Sequence, residues 1–305
     1  MKKNSIYLFS FVMTALLCGG FISCGGDDGE SSSGGGTVPT NAGTLDHDSN
    51  KRIKSVGNCS FYYKDNGQLD YIINSSHRYD FNYDPNTIVE TYNGAVKTTY
   101  NVSYNSSGFL TRIEFNKSYS EGKNTETHSV STTLTYGSSE HLVAITSNNQ
   151  NEYKNVKGYG TLKTTLNWQN NILTSVVCDE SEQEDGGVIE YYRETYTYNY
   201  DNASLNDYHN KHHQYTPSIV KFMGDEFGDD DFGRALAYVG LLGRGPLYLP
   251  ISSVDLDEDI NSTSSNPYHK ERNRSFSYGF NSDGSLSYTI VDNSRYNFGY
   301  ENLSK

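Results

Sequence analysis

The sequence predicts an all-β protein, an antiparallel β-meander curled into a soluble barrel or half-barrel, with one short amphipathic helix over about 231–242 as plug or cover. Three observations predict it. A strand–turn unit recurs from residue 60 onward. Rings and small hydroxyl residues alternate strictly ahead of the turns. An otherwise polar chain carries a large supply of aromatic area.

The recurring unit is an aromatic strand end, a polar turn with Gly or Asn, then Leu and a β-branched residue. Its clearest copies run Tyr63 to Leu69 through Asn66-Gly67, Tyr104 to Leu110 through Gly108, and Phe280 to Leu286 through Asp283-Gly284. Weaker copies run Tyr136 to Leu142, Trp168 to Leu173 and Tyr200 to Leu205, with a partial one at Phe81 to Asp84. Asn-Gly and Asp-Gly between apolar runs signal hairpins whose two central turn residues take positive φ. Ahead of the turns, Tyr196, Tyr198 and Tyr200 oppose Thr195, Thr197 and Asn199. Tyr100, Val102 and Tyr104 oppose Asn101 and Ser103, and Phe276, Tyr278 and Phe280 oppose Ser275, Ser277 and Gly279. Period two with one polar face means a sheet with one wet side. After the turns, Leu110, Ile113 and Phe115, or Leu69 and Ile72, break the alternation and predict a bulge near the turn.

Aromatic strand ends at 63, 83, 104, 136, 168 and 200 imply a meander of up to about a dozen strands. Loops such as Glu121–Thr127 and Asp179–Gly187 account for the longer gaps. Such a sheet hides its edges by closing or curling. A membrane barrel would need apolar residues on its outer face, whereas one face here is Thr, Ser and Asn.

Only 34% of the residues are hydrophobic, and mean hydropathy is -0.70. A disordered chain would also be poor in aromatics, yet this one has 27 Tyr and 13 Phe, so the core is built from rings. Net charge is -13, a field that repels phosphate backbones, and nucleic acid is excluded as a partner.

The N-terminus sets an address. Lys2 and Lys3 precede an apolar run from Ile6 to Leu17, too short for a comfortable membrane span. Phe21, Ile22, Ser23 and Cys24 follow and resemble a bacterial lipobox. That resemblance implies lipidation of Cys24 and removal of the signal peptide, residues 1–23. Residues 24–50, rich in Gly and Ser with Asp27, Asp28 and Glu30, read as a flexible acidic tether. Acidic residues just after the lipidated cysteine resemble the surface-export signal of Bacteroidota lipoproteins. The expected place is therefore the outer membrane, lipid-anchored, at the cell surface. Residues 51–305 form a single β-repeat domain. Cys18 lies in the export segment, which leaves Cys59 and Cys178 either to pair in an oxidising compartment or to stay as two free thiols.

Asp231 to Leu242 is the one helical stretch. Acidic residues open it, Phe232, Leu236, Val239 and Leu242 make one apolar stripe, and Gly243 suits its end. An apolar stripe favours a plug over a lid.

Chemistry-bearing clusters are few. His209 and His213 stand at i, i+4, which on a helix suits a shared metal, but their segment has no helical apolar face and reads as a polar loop. Asp255, Asp257 and Asp259 open a calcium-loop spacing. Ile260 sits where that loop needs Gly, and Asn266 where it needs Glu. A solvated acidic face is the favoured reading, with calcium as the alternative. No other cofactor, no metal ligand and no catalytic residue is assigned. Nucleophile-elbow, phosphate-loop and Cys-x-x-Cys patterns are missing from the sequence.

The Tyr-x-Tyr-(Asp/Asn)-x-x-Gly-x-Leu unit is similar to the Tyr-Asp (Rhs-type) repeat of large bacterial β-shell proteins. Residues 50–302 as a whole, with the segment from Arg234 to Pro250, resemble a family of Bacteroidota cell-surface lipoproteins of unknown function with a porin-like β fold. The resemblance implies fold and address and brings no catalytic residues. The expected function is a surface-displayed binding or interaction module for a carbohydrate or an envelope protein. The alternatives are an envelope glycan hydrolase and a structural accessory of an outer-membrane complex.

Overall fold

A computed structural model describes residues 51–121, 124–153, 156–201, 207–223, 227, 230–260 and 268–303. Cys24, the signal peptide and the tether lie outside them, as do Leu205, Asp225, Glu226, Asp229 and Asn266. The chain forms sixteen antiparallel strands: β1 (Lys51–Val56), β2 (Cys59–Tyr63), β3 (Leu69–Asn74), β4 (His77–Tyr83), β5 (Asn86–Tyr92), β6 (Ala95–Tyr104), β7 (Leu110–Glu121), β8 (Asn124–Tyr136), β9 (Leu142–Tyr153), β10 (Val156–Gln169), β11 (Ile172–Glu184), β12 (Glu190–Asn199), β13 (Ser252–Asp259), β14 (His269–Phe280), β15 (Leu286–Val291) and β16 (Ser294–Asn302). Each pairs with its sequence neighbours, and β1 pairs with β16 from Lys51↔Asn302 to Val56↔Phe298, so the meander is a closed barrel. Closure removes both sheet edges. The strand number exceeds the expected dozen, and the half-barrel alternative falls away.

The repeat unit has a specific geometry. In five hairpins the register shifts by one residue immediately before the aromatic, which then lies opposite its leucine: Tyr63↔Leu69, Tyr104↔Leu110, Tyr136↔Leu142, Trp168↔Leu173 and Phe280↔Leu286. This is the expected bulge. The turn itself differs from the expected form. In the Asn66-Gly67 and Asp283-Gly284 turns only the glycine has positive φ, at 85° and 86°. Gly67 and Gly284 donate to the carbonyls of Lys64 and Asn281, at 2.9 Å in both cases. That is a type I turn closed by one left-handed residue, and Glu140 fills the same place at φ 62°. Both central residues are left-handed at Asn93-Gly94 and Asn170-Asn171.

Six of the strand-end rings carry a donor, and each uses it at a bulge. Tyr63 donates its hydroxyl to the Ile53 carbonyl at 2.7 Å, Tyr83 to Leu69 at 2.9 Å and Tyr136 to Leu110 at 2.6 Å. Trp168 Nε1 donates to Leu142, Tyr200 to Leu173 and Tyr300 to Leu286, each at 2.8 Å. All six acceptors sit at a bulge, where the regular ladder is interrupted. A turn therefore joins each of these strands on one side, and a ring hydrogen bond joins it on the other. Burial pushes the hydroxyls of Tyr63, Tyr83, Tyr136, Tyr200 and Tyr300 well above the ordinary phenol range, so they stay protonated donors. Tyr136→Phe keeps the ring and strips the Leu110 carbonyl of this donor. It should destabilise by about 1–3 kcal/mol in denaturant unfolding, while Tyr92→Phe, on a half-exposed ring, should be neutral.

Sixteen strands enclose more space than wall side chains fill. The connection between β12 and β13 is drawn inside to fill it. It holds a 3-10 turn (Val220–Phe222) and α1 (Asp230–Tyr238). The helix ends four residues before the expected Leu242. Gly240 at φ 73° donates to Ala237 at 2.9 Å, and Leu241 donates to Leu236 at 3.0 Å. This glycine stop comes one turn earlier than Gly243. The predicted stripe is buried throughout, with Phe232, Leu236 and Leu242 at 0% exposure. Phe232 stacks on Tyr79 of β4 at 4.6 Å and lies 4.7 Å from Tyr100 of β6. Backbone bonds tie the connection to the bulged hairpins: Leu110 N to Leu241 O at 2.9 Å, Arg244 N to Glu140 O at 2.9 Å, and Leu247 N to Asn171 O at 3.0 Å. The helix is a plug, and the end with the ring bonds is its floor.

Strands β7–β12 and β14 have ten to fourteen residues, while β1–β5 and β15 have five to seven. At about 3.3 Å per residue, one side of the barrel stands roughly twice as high as the other. This corrects the loops expected at Glu121–Thr127 and Asp179–Gly187, most of which are strand. Above the plug the inner face is polar as well, so these stretches lack the apolar alternation that betrays a strand. Outside, the wall is mostly polar, with Thr99, Asn101, Asn116, Ser129, Ser131, Thr133, Asn148, Thr195 and Thr197, and it includes the apolar Val177, Val254 and Leu256 beside the last two.

Candidate functional site

Three regions concentrate polar chemistry. The first is a groove of about 480 Å³ on the outer face of β6–β10. Strand register builds it as two rows. Asn101, Glu114, Ser131, Asn148 and Thr161 stand opposite one another across five strands, and Asn116, Ser129, Gln150 and Tyr159 form the next row. Ser129 donates to Asn116 Oδ1 at 2.6 Å, Thr161 to Asn148 Oδ1 at 3.3 Å and Ser131 to Glu114 Oε1 at 3.3 Å. Arg112 Nη2 holds the same carboxylate at 2.7 Å. Tyr159 stands in the second row, between Gln150 and Gln183, as a ring that is 50% exposed. Amides and hydroxyls in parallel rows present donors and acceptors side by side, with one open ring among them.

The second region is a pocket of about 500 Å³ at the low rim, between α1 and the turns β1–β2, β3–β4 and β15–β16. Lys221, Arg234, Arg274 and Arg295 line it, with Asp231 the one acid among its lining residues. Beneath it lies Asp255, 1% exposed. Its Oδ2 accepts from Lys221 Nζ at 2.9 Å and Arg274 Nε at 2.5 Å, and its Oδ1 from Ser253 at 2.8 Å. Burial opposes ionisation of Asp255, but the bonds from Arg274, Lys221 and Ser253 outweigh it and hold the carboxyl below its ordinary pKa.

The third region is the inner face of the high wall. Glu194 on β12 stands directly opposite Asp257 on β13. Burial, with Asp257 adding, raises the Glu194 pKa against the opposing hydrogen bond from Tyr196. Asp257 is held by Arg272 at 3.0 Å. Across the barrel, Glu90 is 3% exposed. It accepts from Tyr100 at 2.9 Å, with His77 Nδ1 at 3.0 Å and Lys117 Nζ at 3.7 Å. Burial disfavours its charge, yet Lys117 and the hydrogen bonds leave its pKa lowered. Glu90 reads as a strut of the wall.

The residues singled out in the sequence fall as follows. Asp255, Asp257 and Asp259 lie on a strand rather than a loop, with their inner face toward cations from the plug and β14. Among the described residues no three His, Cys, Asp or Glu converge as a metal site. His209 bridges to Tyr248, while His213 lies 3.1 Å from the Gly245 carbonyl, so the two are not paired on a helix. Cys59 and Cys178 are both buried and are not joined in a disulfide. The repeat tyrosines are mostly core. Sequence reasoning missed Tyr159 and the rim cations. Tyr159 was detectable as a ring out of phase with the inward Gly158, Gly160 and Leu162. The cations come from three distant segments and left no local signal.

These features define a class: a closed sixteen-stranded β-barrel with an internal plug. Among solved structures, the chain matches porin-like proteins from Bacteroides. One, from Bacteroides vulgatus ATCC 8482, matches at 15% identity over 81% of this chain and 97% of its own, with a TM-score of 0.48. Another, from Bacteroides uniformis ATCC 8492, matches at 14% identity over 70% and 92%, with a TM-score of 0.26. No protein-family model matches this chain, and no curated protein matches it.

Proposed function

We propose that this chain is a lipid-anchored envelope protein that binds saccharide on the outer wall of its barrel. The observation that carries the reading is the pair of amide and hydroxyl rows with the open ring of Tyr159 standing in one of them. Hydroxyl-rich ligands are matched by side chains that both donate and accept, and a ring face covers the apolar side of a sugar. A polar outer wall supports a barrel that stands off the bilayer, and the lipobox at Cys24 supports an acyl anchor. The plug supports a binder over a channel.

The test is enrichment of envelope and dietary polysaccharides on immobilised residues 51–305. Tyr159→Ala should weaken retention by about five- to thirtyfold, the loss expected when stacking worth about 1–2 kcal/mol is removed, and should leave unfolding unchanged. Enrichment of proteins alone would sink the saccharide reading. Fatty-acid labelling that persists in Cys24→Ala would sink the anchor.

A second reading, glycan hydrolysis, is favoured by one feature. Glu194, with its raised pKa, faces Asp257 in the lumen, and such a pair suits an acid and a base. Release of reducing ends, abolished in Glu194→Gln, would carry it.

A further inference from the structure

We propose that the saccharide held on the outer wall is a neutral, linear, β-linked chain several sugars long that lies across the strands, an inference that rests on the saccharide reading above.

Strand register carries the argument. The first row of the groove continues past Thr161, through Ser181 on β11 to Tyr191 on β12. From Asn101 to Tyr191 it crosses seven neighbouring strands, β6–β12. Strands lie about 4.8 Å apart, so the row runs for about 29 Å along the wall. Each strand places one polar side chain or ring on it, so hydrogen-bonding groups repeat at the strand spacing. The units of an extended β-linked sugar chain repeat at a closely similar interval, and each brings hydroxyls that donate and accept. A single sugar covers only a small part of such a row.

Charge sets the width of the band and the kind of chain. The row below it carries Arg112, Lys163, Asp179 and Arg193, with Arg193 Nε donating to Asp179 Oδ1 at 2.6 Å. The row above it carries Glu152 opposite Lys157, an ion pair at 4.0 Å. In the two rows between, Glu114 is the only charged side chain among the described residues, and Arg112 bonds it at 2.7 Å. The band is therefore neutral, two rows wide, with charged borders. It offers no partner to repay the desolvation of a charged sugar, while neutral hydroxyls meet donors and acceptors along its whole length.

Two rings mark the band. Tyr191 ends the first row and is partly exposed, and Tyr159 stands in the second row two strands back. Two strand spacings separate them by about 10 Å along the row, so they serve different sugars of one chain. A chain laid along a single strand would meet only one of them and would cross the charged borders.

The experiment is isothermal titration of the full chain with ladders of neutral β-linked gluco-, manno- and xylo-oligosaccharides, from the single sugar to the hexasaccharide. In the ladder that binds, affinity should rise at least tenfold from disaccharide to hexasaccharide, and raised salt should leave it unchanged. Tyr191→Ala should weaken the hexasaccharide about fivefold or more, while Tyr191→Phe, which keeps the ring, should bind it as the parent does. A disaccharide as tight as its hexasaccharide, or a hexasaccharide indifferent to Tyr191→Ala, would overturn the extended chain and leave the saccharide reading standing. Tighter binding of carboxymethylcellulose than of the gluco ladder would overturn its neutrality. Ladders that all fail while the polysaccharide screen still enriches a glycan would sink the β-linked chain alone, and failure of both would sink the two readings together.

Discussion

Asp255→Asn should cost the barrel about 3 kcal/mol at neutral pH. Breaking a buried ion pair from one side commonly costs about 3–5 kcal/mol, because the opposite charge is left uncompensated. Lys221 and Arg274 keep partial exposure, at 28% and 22%, which places the effect at the lower end. The loss is compound, since this carboxylate joins the plug, through Lys221, to the wall, through Arg274. Its pH dependence has a definite sign. The folded pKa of Asp255 lies below the ordinary carboxylate value of about 3.9. Its contribution is therefore fully present above the unfolded pKa and is lost as pH falls through the folded one. Denaturant unfolding of both proteins from pH 7 to pH 2 should give curves that converge only below about pH 4. A gap that stays constant down to pH 2 would mean that Asp255 does not titrate as its partners require.

Phe232→Ala should cost about 3–5 kcal/mol, the usual range for removing a fully buried phenyl ring. The ring is the contact through which α1 meets β4 and β6, lying within 5 Å of two tyrosine centroids. Hydrogen exchange gives a second readout. Amides of 230–242 should lose protection to a greater extent than those of β8 and β9, whose ladder does not depend on the plug. A loss below 1 kcal/mol with unchanged exchange would show that the helix merely rests on the wall.

The elements that were legible in the sequence are those with an apolar inner face and a polar outer one. Tyr196 and Tyr198, or Phe276 and Tyr278, gave strand, face and buried partner at once. The Leu that follows each turn gave the bulge. Plug-facing strands such as β4 and β5 carry the same signal, but Asn86–Tyr92 holds the buried Glu90 at an inward position, and one charged residue there is enough to blur a seven-residue pattern. The upper halves of β7–β12 gave no signal because both of their faces are wet. Closure was not legible either. It depends on the first strand meeting the last, with Lys51 opposite Asn302 and Val56 opposite Phe298, and pairing over nearly the whole folded chain leaves no local mark.

Both ends of the folded chain leave from the same place. Lys51 Nζ reaches Asp283 at 2.5 Å, in the turn between β14 and β15, and Asn302 pairs with Lys51. That turn belongs to the plugged floor. The first and last strands therefore both end at the plugged floor, while the tall lip and the rim pocket lie at the opposite end of the barrel.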